Sequence, residues 1–186
     1  MVKYKFKLIK IFISTLFLIF SHQYLTKADD VTELQINMYS VGDNLIEFKS
    51  KKLIEEKEKF FFPGSKKFYR ISFPIEDENY DYVAFYLKNN DKKYKIYSLE
   101  GFKFLNYSEC KKKMKSIKNS MENFFSDNFI SQRNEEPHSF DKSNESMVTM
   151  IDFIGPDDYS ISRIICTDWS KKMEGDGYAD NLAIYL

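Results

Sequence analysis

Cys110, Met114, Ile117, Met121 and Phe125 recur at offsets of +4, +7, +11 and +15, the one long helical stripe in a chain of 186 residues. Apolar side chains at that spacing share one side of an α-helix, so the segment must bury that side against another element. Ser108 is the expected helix start, and Lys111, Lys112, Lys113, Lys115 and Lys118 occupy the remaining faces. Elsewhere the apolar period is two. Tyr69, Ile71, Phe73 and Ile75 alternate with Arg70 and Ser72, and Val83, Phe85 and Leu87 repeat the pattern. Asn89-Asn90-Asp91 tolerates left-handed turn geometry, so Tyr94 to Leu99 reads as the returning arm of a hairpin. Thr149, Ile151 and Phe153 alternate again before a turn at Gly155-Pro156-Asp157-Asp158, and Tyr159 to Thr167 comes back. Leu182, Ile184 and Leu186 end the chain as a strand. Runs of strands without βαβ alternation predict an α+β fold. Its mostly antiparallel sheet, made of a meander, a second hairpin and a C-terminal strand, packs against one long amphipathic helix.

The connections are read from their turn chemistry. Asp29 to Met38 is expected as an extended arm or short edge strand. Asp43 is the expected N-cap of a short helix containing Leu45, Ile46 and Phe48, and Ser50 that of a second with Leu53 and Ile54 inward. Phe60-Phe61-Phe62-Pro63-Gly64 stops the second helix. From Asp127 to Ser146 the apolar pattern disappears, which predicts a long loop. Trp169 to Met173 is expected as one helical turn.

The N-terminus carries a different signal. Lys3, Lys5, Lys7 and Lys10 precede an apolar run from Ile11 to Phe20, and Thr26 and Ala28 stand at the small positions before a cut ahead of Asp29. That order is the secretory pattern. The clean apolar run is ten residues, whereas a spanning helix needs about 20, so cleavage is preferred to anchoring. The expected organisation is a signal peptide over 1–28 and a single α+β domain over 29–186, with the membrane met only through the leader. Five of the 28 basic residues and none of the 28 acidic ones lie in the leader, which leaves 23 against 28 in the exported part. A net acidic domain disfavours nucleic-acid binding. Cys110 and Cys166, an even pair in an oxidising compartment, are expected to form a disulfide worth about 4–5 kcal/mol on the chain-entropy model. Lys outnumbers Arg 25 to 3, so Arg70, Arg133 and Arg163 mark positions where a rigid guanidinium fork matters.

Several short motifs carry a family likeness. They are Ser40-Val41-Gly42-Asp43-Asn44-Leu45, Lys66-Lys67-Phe68-Tyr69, Tyr80-Asp81-Tyr82, the Lys-rich hairpin to Gly101, Glu109-Cys110, Asp141-Lys142-Ser143 and Cys166-Thr167-Asp168-Trp169-Ser170. With the leader, their order resembles a group of small exported proteins from AT-rich marine alphaproteobacteria of the Pelagibacter type. The resemblance covers nearly all of the exported chain. It implies a periplasmic setting and one compact domain, and it transfers no catalytic residue.

Candidate chemistry is sparse. His138 is the only histidine beyond the leader, in His138-Ser139-Phe140-Asp141-Lys142-Ser143. A hydrolase would use Ser143 or Ser139 as nucleophile, His138 as base and Asp141 to orient it. No G-x-S-x-G elbow accompanies them, and Lys142 beside Ser143 is not an S-x-x-K motif; a solvated polar loop is the plainer reading. One histidine and two paired cysteines do not supply three or four zinc ligands. Glu174 to Asn181 is acid-rich but lacks EF-hand spacing, so it reads as a turn. No metal or cofactor is expected, and no G-x-G-x-x-G or P-loop is present. Tyr80, Tyr82 and Tyr86 are expected on the strand face opposite Val83, Phe85 and Leu87, either packed beneath other segments or open to a partner. The leading expectation is a non-enzymatic exported binding module for a protein or small-molecule partner; the alternative is a small periplasmic hydrolase centred on the His138 loop.

Overall fold

A computed structural model of the chain describes residues 33–125, 129–155 and 160–186. The leader over 1–28, the cut before Asp29, and Pro156 to Asp158 of the second turn lie outside the described residues.

Among the described residues, ten strands form two antiparallel sheets, one of two strands and one of eight. β1 (Gln35–Ile36) and β2 (Tyr39–Ser40) make the small hairpin. The large sheet begins with β3 (Phe60–Phe61), β4 (Phe68–Pro74), β5 (Tyr82–Lys88) and β6 (Ile96–Phe104), each beside the last. Helix α2 (Tyr107–Phe124) then carries the chain across the sheet to its far edge. From there β7 (Ile130–Pro137), β8 (Met147–Ile154), β9 (Ser160–Asp168) and β10 (Asn181–Tyr185) return strand by strand until β10 pairs with β6. The fold is thus α+β, and its last strand closes the middle of the sheet. Two short helices complete it, α1 (Lys51–Glu55) and α3 (Lys171–Gly175).

One face of the large sheet holds the core. Tyr69, Ile71 and Phe73, with Val83, Phe85 and Leu87, are buried as the alternation requires. Cys110, Met114, Met121 and Phe125 bring the helical stripe onto the β9–β10 half of that face. The Cys110–Cys166 disulfide, with 5.8 Å between Cα atoms, fixes the first turn of α2 to β9. The N-terminal hairpin and the segment after it cover the other half, and Tyr39 meets Phe85 edge-on at 4.9 Å between ring centroids. Gly101 is fixed by close approach. A Cβ there would lie 2.5 Å from the Tyr80 ring, and no side chain tolerates that contact.

Several local expectations change. The stretch from Asp127 to Ser146 is not a loop throughout, because β7 occupies Ile130–Pro137 and pairs with β8 along its whole length. Seven of its eight residues are exposed. The β8 ladder pairs one edge of its backbone while the outer edge and most of its side chains meet water, so the strand needs no apolar alternation. Arg133, Glu135, Glu136 and Pro137 suit an edge strand, since charge and proline discourage further pairing. The helix at Leu45–Glu47 is one 3-10 turn that starts after Asn44 with no side-chain cap, and the Asp43 carboxylate accepts from the Ser40 amide at 2.9 Å. Asn106, not Ser108, caps α2 by accepting from the Glu109 amide at 3.0 Å. Ser50 does cap α1, with Ile54 buried and Leu53 exposed.

Candidate functional site

The sheet face opposite the core carries the most organised set of polar side chains. Register places Ser72, Ala84, Glu100, Tyr185, Arg163, Asp152 and Gln132 in one row across seven strands. Glu100, only 5% exposed, is its anchor. Its Oε2 accepts from Arg70 Nε at 2.8 Å and from Tyr86 Oη at 3.0 Å, and its Oε1 accepts from Tyr185 Oη at 3.2 Å. A buried carboxylate is tolerated only when its lone pairs are met in this way. Burial first, then the Glu100 charge, holds both tyrosine hydroxyls above their usual range. They therefore stay protonated as fixed donors. Further along the row Arg163 donates to Asp152. Two of the three arginines thus lie on this face, each in an ion pair.

A second row runs beside the first: Tyr82, Phe102, Ala183, Ile165 and Met150 are cross-strand neighbours on β5, β6, β10, β9 and β8. Tyr82 and Phe104 meet edge-on at 6.3 Å and remain 39% and 48% exposed. Phe62 stacks on Tyr86 at 5.8 Å, and exposed Tyr97 meets Phe68 at 5.1 Å. Solvent-facing aromatic rings are thus concentrated on one sheet face. The carboxylate is capped by three donors, which ties its side chain to three other strands.

The expected tyrosine trio divides. Tyr82 and Tyr86 lie on the open face. Tyr80 precedes β5 and turns to the other side, where its ring covers Gly101 and packs against the core. The chain bends between Tyr80 and Tyr82 because the Asp81 carboxylate accepts from the Phe104 amide at 2.8 Å and from Lys103 Nζ at 2.9 Å.

The His138 loop is a folded unit of another kind. Asp141 is 4% exposed and accepts five hydrogen bonds. Oδ1 takes the Ser143 amide at 2.9 Å and its hydroxyl at 2.7 Å. Oδ2 takes the Ser146 amide at 3.1 Å, the Ser146 hydroxyl at 2.6 Å and the Ser170 hydroxyl at 2.9 Å. The Ser146 hydroxyl first, then the Ser143 hydroxyl and amide, hold the Asp141 carboxyl well below the usual carboxylate range. His138 Nδ1 accepts from the Phe140 amide at 3.1 Å, and its ring lies 4.2 Å from that of Trp169. Burial lowers the imidazole's pKa, opposed by the Asp141 charge. Ser143 thus donates to Asp141, and the histidine lone pair facing the loop is already occupied. Ser139 is exposed. The carboxylate secures a loop and the N-terminus of α3; it is not hydrogen-bonded to His138.

In the acid-rich C-terminal turn, Asp180 accepts from the Trp169 amide at 2.8 Å and from the Tyr107 amide at 3.2 Å. Among the described residues, no group of three or more His, Cys, Asp or Glu is arranged to hold a metal ion. Sequence reasoning missed Glu100 and Tyr185 altogether. The available signal was an acid between Leu99 and Gly101 inside an apolar strand, where a charge without partners is costly. No family model matches the chain, and neither a curated protein nor a solved structure does.

Proposed function

We propose that this chain is a non-enzymatic exported interaction module whose open sheet face receives a protein partner. The observation that carries the reading is the aromatic cluster of Tyr82, Phe102 and Phe104, set beside the Glu100 anchor. Exposed tyrosine and phenylalanine supply large contact area at low conformational cost, and arginine adds directional polar contact. A sheet surface spread over several strands suits a macromolecule better than a small ligand, which binds in a concave site. The leader and the Cys110–Cys166 bond favour an oxidising compartment. The resemblance to Pelagibacter-type exported proteins is what suggests the periplasm as that compartment.

The test places a photo-crosslinking residue at Tyr82, at Phe104 and, as control, at Lys112 on the exposed side of α2, in cells that make the protein. The expected result is a discrete adduct from both open-face positions and none from Lys112. An unmodified band at Tyr82 and Phe104, with the protein present in the periplasmic fraction, overturns the reading. Export is checked separately by intact mass: a native product beginning at Asp29 supports it, and one beginning at Met1 does not.

A further inference from the structure

We propose that the outer edge of β7 pairs with β7 of a second copy of this chain, antiparallel and centred on Asn134, so that two sheets become one across a two-fold axis. β7 ends the strand order, and among the described residues no strand lies beyond it. The His138 amide donates to the Ser146 carbonyl at 2.8 Å. Backbone groups alternate in direction along an antiparallel ladder. The even-numbered residues of β7 therefore bond to β8, and Ser131, Arg133, Glu135 and Pro137 turn their backbone groups outward.

Parity and charge fix the register. A two-fold axis through the sheet sets residues of one side-chain face opposite each other, so it passes beside a residue and not between two. Centring on Arg133 sets arginine on arginine, and centring on Glu135 or Glu136 sets glutamate on glutamate. Like charges directly opposite are destabilising. Centring nearer the start of β7 shortens the ladder. Centring on Asn134 instead sets Arg133 opposite the partner's Glu135 and Gln132 opposite the partner's Glu136. Each Arg133 already pairs with its own Glu135 at 3.2 Å, so the charges alternate in sign around the axis. Charge on an edge discourages pairing at large, yet here it leaves one register in which opposite charges meet. Arg133 and the partner's Glu135 then exchange both backbone bonds, and the Ser131 amide donates to the partner's Pro137 carbonyl. Pro137, with no N–H to give, falls at the end of the ladder and does not interrupt it.

Apolar exposure points to the same arrangement. Ile130 and Phe140, 67% and 65% exposed, are the most exposed large hydrophobics among the described residues, and they flank the β7 edge. The Asn134 centre brings Ile130 opposite the partner's His138, two positions from the partner's Phe140. A foreign strand would meet the same backbone groups, but the β7 sequence is complementary to itself about Asn134, which favours a second copy. The pairing is independent of whether Tyr82 and Phe104 receive a partner.

The test is sedimentation equilibrium of the whole exported chain, in which a concentration-dependent dimer is expected. Arg133→Glu and Glu135→Arg, by setting like charges opposite, should each weaken it at least about tenfold. Both substitutions in one chain should restore the dimer, and mixing the two single variants should give a heterodimer; a misfolded variant does neither. Lys112→Glu should leave it unchanged. Asn134→Cys reads the register directly. Asn134 faces its own copy in a non-hydrogen-bonded pair, with about 4.5 Å between Cα atoms, so mild oxidation should give a covalent dimer. Gln132→Cys, facing the partner's Glu136, should give none. A monomer at every concentration to the solubility limit, with no covalent dimer of Asn134→Cys, overturns the proposal. So does a dimer that neither single reversal weakens, one abolished by Tyr82→Ala and indifferent to Arg133→Glu, or growth past the dimer into open fibres.

Discussion

Asp141 and Glu100 are both buried carboxylates capped by hydroxyl groups, but they organise the chain over different distances. Asp141 collects Ser143 and Ser146 from within five positions and reaches only once further, to Ser170. Glu100 collects Arg70, Tyr86 and Tyr185, which lie 30, 14 and 85 positions away. The first closes a loop on itself, and its oxygens are directed inward. The second ties four strands together just beneath an aromatic surface, and its partners have edges that face solvent. The same functional group therefore makes a fastening in one place and a rigid platform in the other. The histidine beside the first bonds to the Phe140 amide and makes no hydrogen bond to the Asp141 carboxylate.

The comparison can be broken at Asp141 first, where the largest effect is expected. Asp141→Ala leaves five donors without their acceptor, so it should lower the urea midpoint more than Glu100→Ala does. The acid limb gives an independent check. Because the folded-state pKa is depressed, the stabilisation is complete above the ordinary aspartate value of about 3.9 and is lost as pH falls through the lower folded value. Stability measured against pH should decline on acidification below about 4, and Asp141→Asn should flatten that decline.

Glu100→Ala is expected to cost about 3 kcal/mol in urea denaturation, because it strands Arg70 in a partly buried position. Glu100→Gln, which keeps the shape and one acceptor, should cost less. If Glu100→Ala proved more damaging than Asp141→Ala, the distinction between fastening and platform would collapse. Removing a single donor sharpens the same contrast: Tyr185→Phe and Ser143→Ala should each cost about 1 kcal/mol. Only Tyr185→Phe should also weaken crosslinking from Tyr82, since it alone touches the platform. The smallest effect belongs to His138→Ala, which loses the Trp169 contact. It should shift stability by less than about 1 kcal/mol and leave any cellular phenotype intact, as scored by growth of the variant strain.

Much of the fold was legible because burial imposes a period. The meander, the β8–β9 hairpin, the helical stripe and the Cys110–Cys166 pairing all follow from side chains that must leave water or from sulfurs that must meet. β7 was hidden for the converse reason: an edge strand exposed on both faces carries no apolar rhythm, and only its ladder with β8 identifies it. The candidate surface was half legible. Alternation placed Tyr82 and Tyr86 opposite the core, and the scarcity of arginine drew attention to Arg70 and Arg163. Tyr80 misled because the period of two was extended past the start of β5, where Asp81 bends the chain.

The amino-acid order alone determined most of the side chains that are buried within the long strands and the long helix, because hydrophobic periodicity is a local property of strand and helix geometry. It also placed Ser143 and Ser146 within reach of Asp141, close along the chain. Which elements became neighbours was decided only in three dimensions. β10 joins β6 to β9, and that single placement brings Tyr185 to Glu100 and sets Arg163 beside it in the row. Contacts of that span depend on strand order and register. Both emerge from the packing of the whole sheet against α2, and no short stretch of residues encodes them.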